Sequence, residues 1–213
     1  MSGSADISIT DGVLVLRRQR PDDLDMHLSA IDDSQIDWLW APGDRALWEA
    51  KTAQEQREHQ ARHLQQMHDS FGPGPKWAFS VDAPGVPYAV FIKCDLANPH
   101  VPTGEANISY ACHPAYRGRG WTTRAVRLAC VFLRDYTPAA RAHLIVDAEN
   151  AASVAVARAA GFREVERFVN EQDRPMIRHV IDLTGGLAEQ EPVRRSRPSP
   201  ARRPSSPPQG SSS

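Results

Sequence analysis

A run of alternating arginine and glycine, Arg117-Gly118-Arg119-Gly120-Trp121-Thr122, follows a strand-like segment from Asn107 to Cys112. It opens directly into a helical pattern from Thr122 to Tyr136. Strand, glycine turn and helix aim successive backbone N–H groups at one point. The helix N-terminus adds roughly half a positive charge there, which suits a phosphate or pyrophosphate. Arg117 and Arg119 flank the turn and can add charge-assisted hydrogen bonds. Glycine also serves an ordinary tight turn, so the motif by itself leaves both readings open. Further along, Asn150-Ala151-Ala152-Ser153 starts a second helical pattern that stops at Ala160-Gly161-Phe162. Asn150 suits an N-cap and Gly161 a left-handed C-terminal stop.

In this order the two motifs resemble the GNAT superfamily of N-acetyltransferases. That family's Arg/Gln-x-x-Gly-x-Gly/Ala signature falls here on Arg117, Gly120 and Thr122, and its Asn-led helix on Asn150, Ser153 and Gly161-Phe162. The resemblance runs from about Val13 to Leu183 and looks closest to the branch that acetylates ribosomal-protein N-termini and to its antibiotic-modifying relatives. It implies a single α/β domain with a mixed, centrally splayed β-sheet and helices on both faces. It also implies acetyl-coenzyme A as the acyl donor. The acceptor would be a primary amine, on a protein N-terminus or on a small molecule such as an antibiotic.

Acetyl transfer sets four tasks, and the resemblance distributes them. Backbone N–H groups of Arg119, Gly120, Trp121, Thr122 and Thr123 would hold the pyrophosphate. A backbone N–H around Tyr110, Ala111 and Cys112 would polarise the thioester carbonyl, a donor worth ~3 kcal/mol at a developing oxyanion. Thr122 stands where the family has glycine or alanine; its hydroxyl can donate to phosphate or cap the helix, and its β-branch can crowd the loop. Asn150 either bonds the pantetheine amides or only caps the helix. Many relatives protonate the leaving thiolate with a tyrosine at the position of Ala157, so here the resemblance turns to Ser153, whose alternative is an ordinary first-turn serine.

The base is the weakest assignment. Relatives carry a glutamate on the central strand where this chain has Asn107, in Ala106-Asn107-Ile108-Ser109-Tyr110-Ala111. An amide cannot take a proton, which leaves Asn107 a substrate contact. Glu105 lies on the same strand face by alternation and can accept the proton directly or through water. Its alternative is a solvent-facing strand start. His113 and Tyr110 are lesser candidates, and proximity with bulk water as base is a further route.

The elements that must position these residues read as follows. Met1 to Asp11 is a loose lead-in. Val13 to Leu16 is a strand, and Pro21-Asp22-Asp23 starts a helix with Leu24, Leu28 and Ile31 facing inward. Trp38, Trp40 and Trp48 fall in a less regular segment, either packing the core or lining the acceptor groove. Thr52 to Ser70 is a polar helix; its His59 and His63 have chelating spacing but no third ligand, which argues for a solvated face and no metal. Lys76 to Asp82 and Pro87 to Asp95 form a hairpin, Glu105 to Cys112 and Ala142 to Val146 are strands, and two strands follow, Phe162 to Val169 and Pro175 to Leu183.

Composition bounds the rest. The chain has 213 residues, a formal net charge of −1 and three cysteines, Cys94, Cys112 and Cys130. A single domain over residues 12–184 is expected. Residues 185–213, rich in Pro, Ser and Arg, read as a disordered tail. An odd, scattered set of cysteines forms no disulfide framework and suits a reducing cytoplasm. Near-neutral charge and the lack of a long apolar run weigh against nucleic acid and membrane as partners. Monomer and homodimer stay open. Two competing functions stay open as well: a non-catalytic coenzyme A-binding or ligand-sequestering module, and nucleic-acid binding through the Arg-rich tail.

Overall fold

The computed structural model describes residues 7–41, 43–72 and 74–184, with the backbone of Arg194–Arg195. In chain order the elements are β1 (Ser8–Thr10), β2 (Val15–Arg18), α1 (Leu24–Ala30), α2 (Asp33–Leu39), α3 (Asp44–Glu49) and α4 (Ala53–Asp69). Then come β3 (Lys76–Ala83), β4 (Val86–Asp95), β5 (Ala106–Cys112), α5 (Trp121–Tyr136), β6 (Arg141–Asp147) and α6 (Ala151–Ala159). The chain closes with β7 (Arg163–Val169), β8 (Pro175–Asp182) and the two-residue β9 (Arg194–Arg195). One sheet holds all strands in the order β7-β8-β6-β5-β4-β3-β2-β1-β9. Every neighbouring pair is antiparallel except β5 and β6, which run parallel.

Strand alternation sorts side chains to two covered faces. Val90, Ile92 and Ile108 face α5, whose Ala125, Val126, Leu128, Ala129, Phe132 and Leu133 are buried. Phe132 sets its ring edge-on against Phe79 at 4.7 Å and Trp77 at 5.3 Å. Burying one such ring contributes about 2–3 kcal/mol. The opposite face is covered by α1 and α4, and it carries Phe91, Lys93, Ser109 and Ala111. α4 begins at a capping box, Thr52 with Glu55, and buries only Gln60 and Leu64 along its length. Its polar composition therefore leaves a thin apolar stripe, as its sequence predicts.

A buried ion network docks α1 on this face. The Arg17 guanidinium donates to Asp23 at 2.7 Å and to Asp82 at 2.7 Å. Asp23 also accepts from the Ser80 hydroxyl at 2.7 Å and the Arg20 N–H at 2.8 Å, while Asp82 accepts from the Tyr88 N–H at 3.0 Å. Desolvation alone would raise the Asp23 pKa; Arg17, Arg20 and Ser80 outweigh it and hold the carboxyl below its ordinary value. Tyr88 itself sits at φ 54°, a left-handed backbone that this lattice of bonds over-determines.

Three expectations change. The lead-in contains β1, whose Ile9 is buried against the core. Three residues ending at the Asp11 turn are too short for a strand pattern to register. The first long strand runs Val15–Arg18 rather than Val13–Leu16, because β2 continues through Arg17, which is buried as an ion pair rather than as an apolar residue. The segment with the tryptophans is two short helices, α2 and α3, with Asp32 accepting the Gln35 N–H as the α2 cap. The tail reading lies outside the described residues, except that Arg194 and Arg195 pair with Thr10 and Ile9.

Candidate active site

Between β5 and β6 the sheet opens. The two strands pair only at Ala106 with Ala142 and Asn107 with His143. Beyond those rungs β5 stays bonded to β4 as far as Cys112, and β6 stays bonded to β8 along its length. Backbone groups on the facing edges of β5 and β6 thus have no ladder partner past Asn107, a condition a guest chain with amides of its own can relieve. The gap is a cavity of about 330 Å³. Ile108, Ser109 and Tyr110 form one wall and Leu144 to Asp147 the other, with Asn150 and Ser153 behind. Arg174 roofs it, stacked 4.9 Å from the Trp38 ring and bonded to Asp147 at 2.7 Å.

The glycine turn lies past the C-terminal end of β5, where the gap is open. Gly118 and Gly120 have φ of 77° and 72°, and a Cβ built on either meets nothing within 4 Å. Gly120 is the N-cap of α5 and supplies no side-chain bond. The first-turn N–H groups of Trp121, Thr122 and Thr123 therefore have no intrahelical acceptor. Left-handed glycines bordering open space, beside a helix N-terminus without a side-chain cap, fit the diphosphate of coenzyme A.

The arginines behave differently from expectation. Arg117 clamps Asp32 through two bonds of 2.7 and 2.9 Å, fastening the turn to the start of α2. That bond, ahead of desolvation, holds the Asp32 carboxyl below its ordinary range. Arg119 lies 5.5 Å from the Tyr116 ring and 5.1 Å from the Trp121 ring. Both guanidiniums thus brace the loop, and the cradle is made of backbone. Thr122 turns its hydroxyl toward the Cys112 thiol, whose pKa burial raises.

Behind the gap, Asn150 Oδ1 accepts the Ser153 N–H at 3.0 Å and so caps α6. The Tyr110 hydroxyl donates to the Ser153 carbonyl at 3.3 Å. Burial raises the Tyr110 pKa, so the phenol keeps its proton. His113 is buried and bonded elsewhere: Nδ1 accepts the Ala115 N–H at 3.3 Å, leaving Nε2 to donate to Ser29 Oγ at 3.1 Å.

Glu105 is not brought to this site. Its carboxylate is in short contact with His143 Nε2 and lies 3.4 Å from Arg141, at the end where β5 and β6 are still paired. Asn107 sits on the last paired rung with its Oδ1 buried and unpartnered, and the cavity wall begins one residue later. Glu105, expected as base, and Asn107, expected as a substrate contact, therefore do not line the gap, which opens beyond both.

A second cavity of about 540 Å³ lies between the sheet and α1, α3 and α4, where Trp40 and Trp48 line it. Leu39, Trp40, Ser109 and Tyr110 line both cavities, so the two meet there. Trp40 packs edge-on to Trp48 at 5.5 Å. On the floor, His27 Nε2 bonds Gln60 at 3.0 Å and Nδ1 meets the Tyr88 hydroxyl at 2.5 Å. Burial lowers the His27 pKa, keeping the ring neutral. Only the tryptophans signalled this space in sequence; His27 and Tyr88 meet across 61 residues.

Comparison with known proteins agrees with this geometry. The family model described as an acetyltransferase (GNAT) domain matches residues 14–163. Among curated proteins, none matches the sequence. Among solved structures, ribosomal-protein-S5-alanine acetyltransferase from Vibrio fischeri superposes with a TM-score of 0.67 at 14% identity, covering 84% of this chain and 98% of that one. Mycobacterium smegmatis RimJ in complex with a coenzyme A disulfide gives 0.65 at 19%, covering 88% and 90%. Aminoglycoside acetyltransferase AAC(6')-Ib in complex with coenzyme A gives 0.60 at 15%, covering 79% and 94%. With a splayed parallel pair, a glycine turn into α5 and a family match over most of its length, the chain belongs to the GNAT acetyltransferase family.

Proposed function

We propose that this protein moves an acetyl group from acetyl-coenzyme A to a primary amine that enters through the cavity beneath α1 and α4. The observation that carries the reading is the β5–β6 gap, which joins that cavity at Ser109 and Tyr110. When bound, acetyl-coenzyme A supplies the activated thioester and its thiol leaving group. The chain's part is to hold the diphosphate on the Arg119–Thr123 backbone, to offer a β5 N–H near Tyr110, Ala111 and Cys112 to the carbonyl, and to exclude water with the Trp38–Arg174 roof. Ser153 and Tyr110 both line the gap and serve as proton donors for the departing sulfur, with Tyr110 anchored on the Ser153 carbonyl. Deprotonation of the acceptor falls to water, because among the described residues lining the gap none is a free carboxylate: Asp147 is held by Arg174. Three free cysteines suit work in a reducing cytoplasm.

One observation favours a second reading, a coenzyme A-binding module without turnover: Glu105 is held between His143 and Arg141, and Asn107 cannot act as a base. Thiol release from acetyl-coenzyme A across an amine panel separates the two, alongside calorimetric binding of coenzyme A. Turnover with any amine, abolished together with binding in Gly120→Val, is the expected result. Binding without thiol release for every amine would replace the enzyme by the module.

A further inference from the structure

The cavity under α1 and α4 has an uneven charge lining. Lys51, Lys93, His59 and His63 look into it, and Asp44 is its sole carboxylate among the described residues. Asp44 is also occupied, accepting the Ala41 N–H at 3.1 Å ahead of α3. Several acids nearby are paired: Asp32 with Arg117, Asp33 and Asp37 with Arg45, and Asp95 with Lys76 and Lys93; Glu58 accepts from the Gln54 amide at 2.7 Å and does not line the cavity. Glu55 is turned back into its capping box with Thr52. Of the cations, Lys51 donates to the Leu47 carbonyl at 2.8 Å and feels Glu55 without bonding to it, and Lys93 lies 3.8 Å from a carboxylate it shares. His63 has its pKa lowered by burial first and then by His59 and Lys93, so the local potential there is positive. His27 is neutral and fully bonded on the floor. Between the charged groups the wall is apolar: Trp40, Trp48, Leu39, Leu47, Phe91 and Met67.

A polycationic acceptor brings several ammonium groups, and each one desolvated without a carboxylate is costly. Like charges brought face to face also suppress binding. This cavity answers one cation at most. Resting on the acetyltransferase reading above, we infer that the acceptor is an amine on an apolar or aromatic body that also bears a carboxylate, which Lys51 and Lys93 receive. Such a group is found on a short peptide with an acidic residue behind its N-terminus and on a free aromatic amino acid. Spermidine-like and aminoglycoside-like polycations are the class the lining rejects.

The test compares five amines at one ionic strength: a C-terminally amidated, phenylalanine-containing peptide with an aspartate near its free N-terminus, its equally amidated asparagine counterpart, phenylalanine, spermidine and kanamycin. Both kcat/KM and direct binding to the coenzyme A-loaded protein are read. The expected result is about a tenfold advantage in kcat/KM or Kd for the carboxylated amine over its neutral counterpart and over both polycations, shrinking as salt rises. Lys51→Glu and Lys93→Glu, each checked for fold by circular dichroism, should erase that advantage while leaving the Kd for coenzyme A unchanged. Whether the peptide or phenylalanine leads decides the source of the carboxylate. Tighter binding or faster turnover of spermidine or kanamycin overturns the inference. Failure of coenzyme A to bind at all would instead strike the acetyltransferase reading.

Discussion

Tyr110 and Ser153 stand where the proton chemistry can be tested one side chain at a time. If the two act on one leaving group as proposed, Tyr110→Phe and Ser153→Ala should each lower kcat by about a hundredfold with the Kd for coenzyme A unchanged. The double variant should be no slower than the slower single one, because members of one proton path are not additive. Burial holds the Tyr110 phenol protonated beyond its ordinary value of 10.0. The wild-type kcat should therefore show no loss attributable to this group until pH rises above that value, whereas Tyr110→Phe should be low at every pH. Glu105 gives the contrasting outcome. Glu105→Gln weakens a buried bond to His143 and should cost about 1–2 kcal/mol of stability, read as a lower Tm, with kcat intact. A fall in kcat with an unchanged Tm would return Glu105 to the catalytic set.

At the level of elements, the strand–turn–helix from β5 to α5 does its work through backbone, and its signature is local. Gly118 and Gly120 hold left-handed conformations with space where a Cβ would stand. A valine at either position costs about 1–3 kcal/mol of backbone strain and would fill the space that the proposed phosphate site uses. Gly120→Val should therefore weaken coenzyme A binding in calorimetry by more than its loss of Tm explains, and an unaltered Kd would remove the cradle. This stretch was legible because each feature is fixed within a few residues. The Asn150 cap on Ser153 was legible for the same reason. The roles of Arg117 and Arg119 were not: one meets Asp32 from 85 residues away, the other two neighbouring rings in a geometry spacing does not reveal.

Across the whole molecule, the Arg17–Asp23–Asp82 network fastens α1 to the hairpin and so fixes one side of the cavity under α1 and α4. The folded Asp23 pKa is depressed, so its contribution is present above the ordinary value of 3.8 and is lost as pH falls through the lower folded value. Asp23→Asn leaves Arg17 underpaired in the interior and should cost about 3 kcal/mol at neutral pH. In denaturant unfolding, the wild type and the variant should converge as pH drops below 3.8. A gap that stays constant with pH would mean that charge is not what Asp23 contributes.

The sequence by itself determined what short-range stereochemistry dictates: where glycine permits a left-handed turn, where an asparagine caps a helix, and which runs alternate into strands. The tertiary structure alone decided where β5 and β6 part, which ion pair takes up Glu105, and which charges look into the acceptor cavity. Those outcomes depend on groups brought together from distant parts of the chain, such as His143 with Glu105 across 38 residues. Desolvation makes each buried charge seek whichever partner the fold delivers, and residue type and local spacing do not encode that delivery.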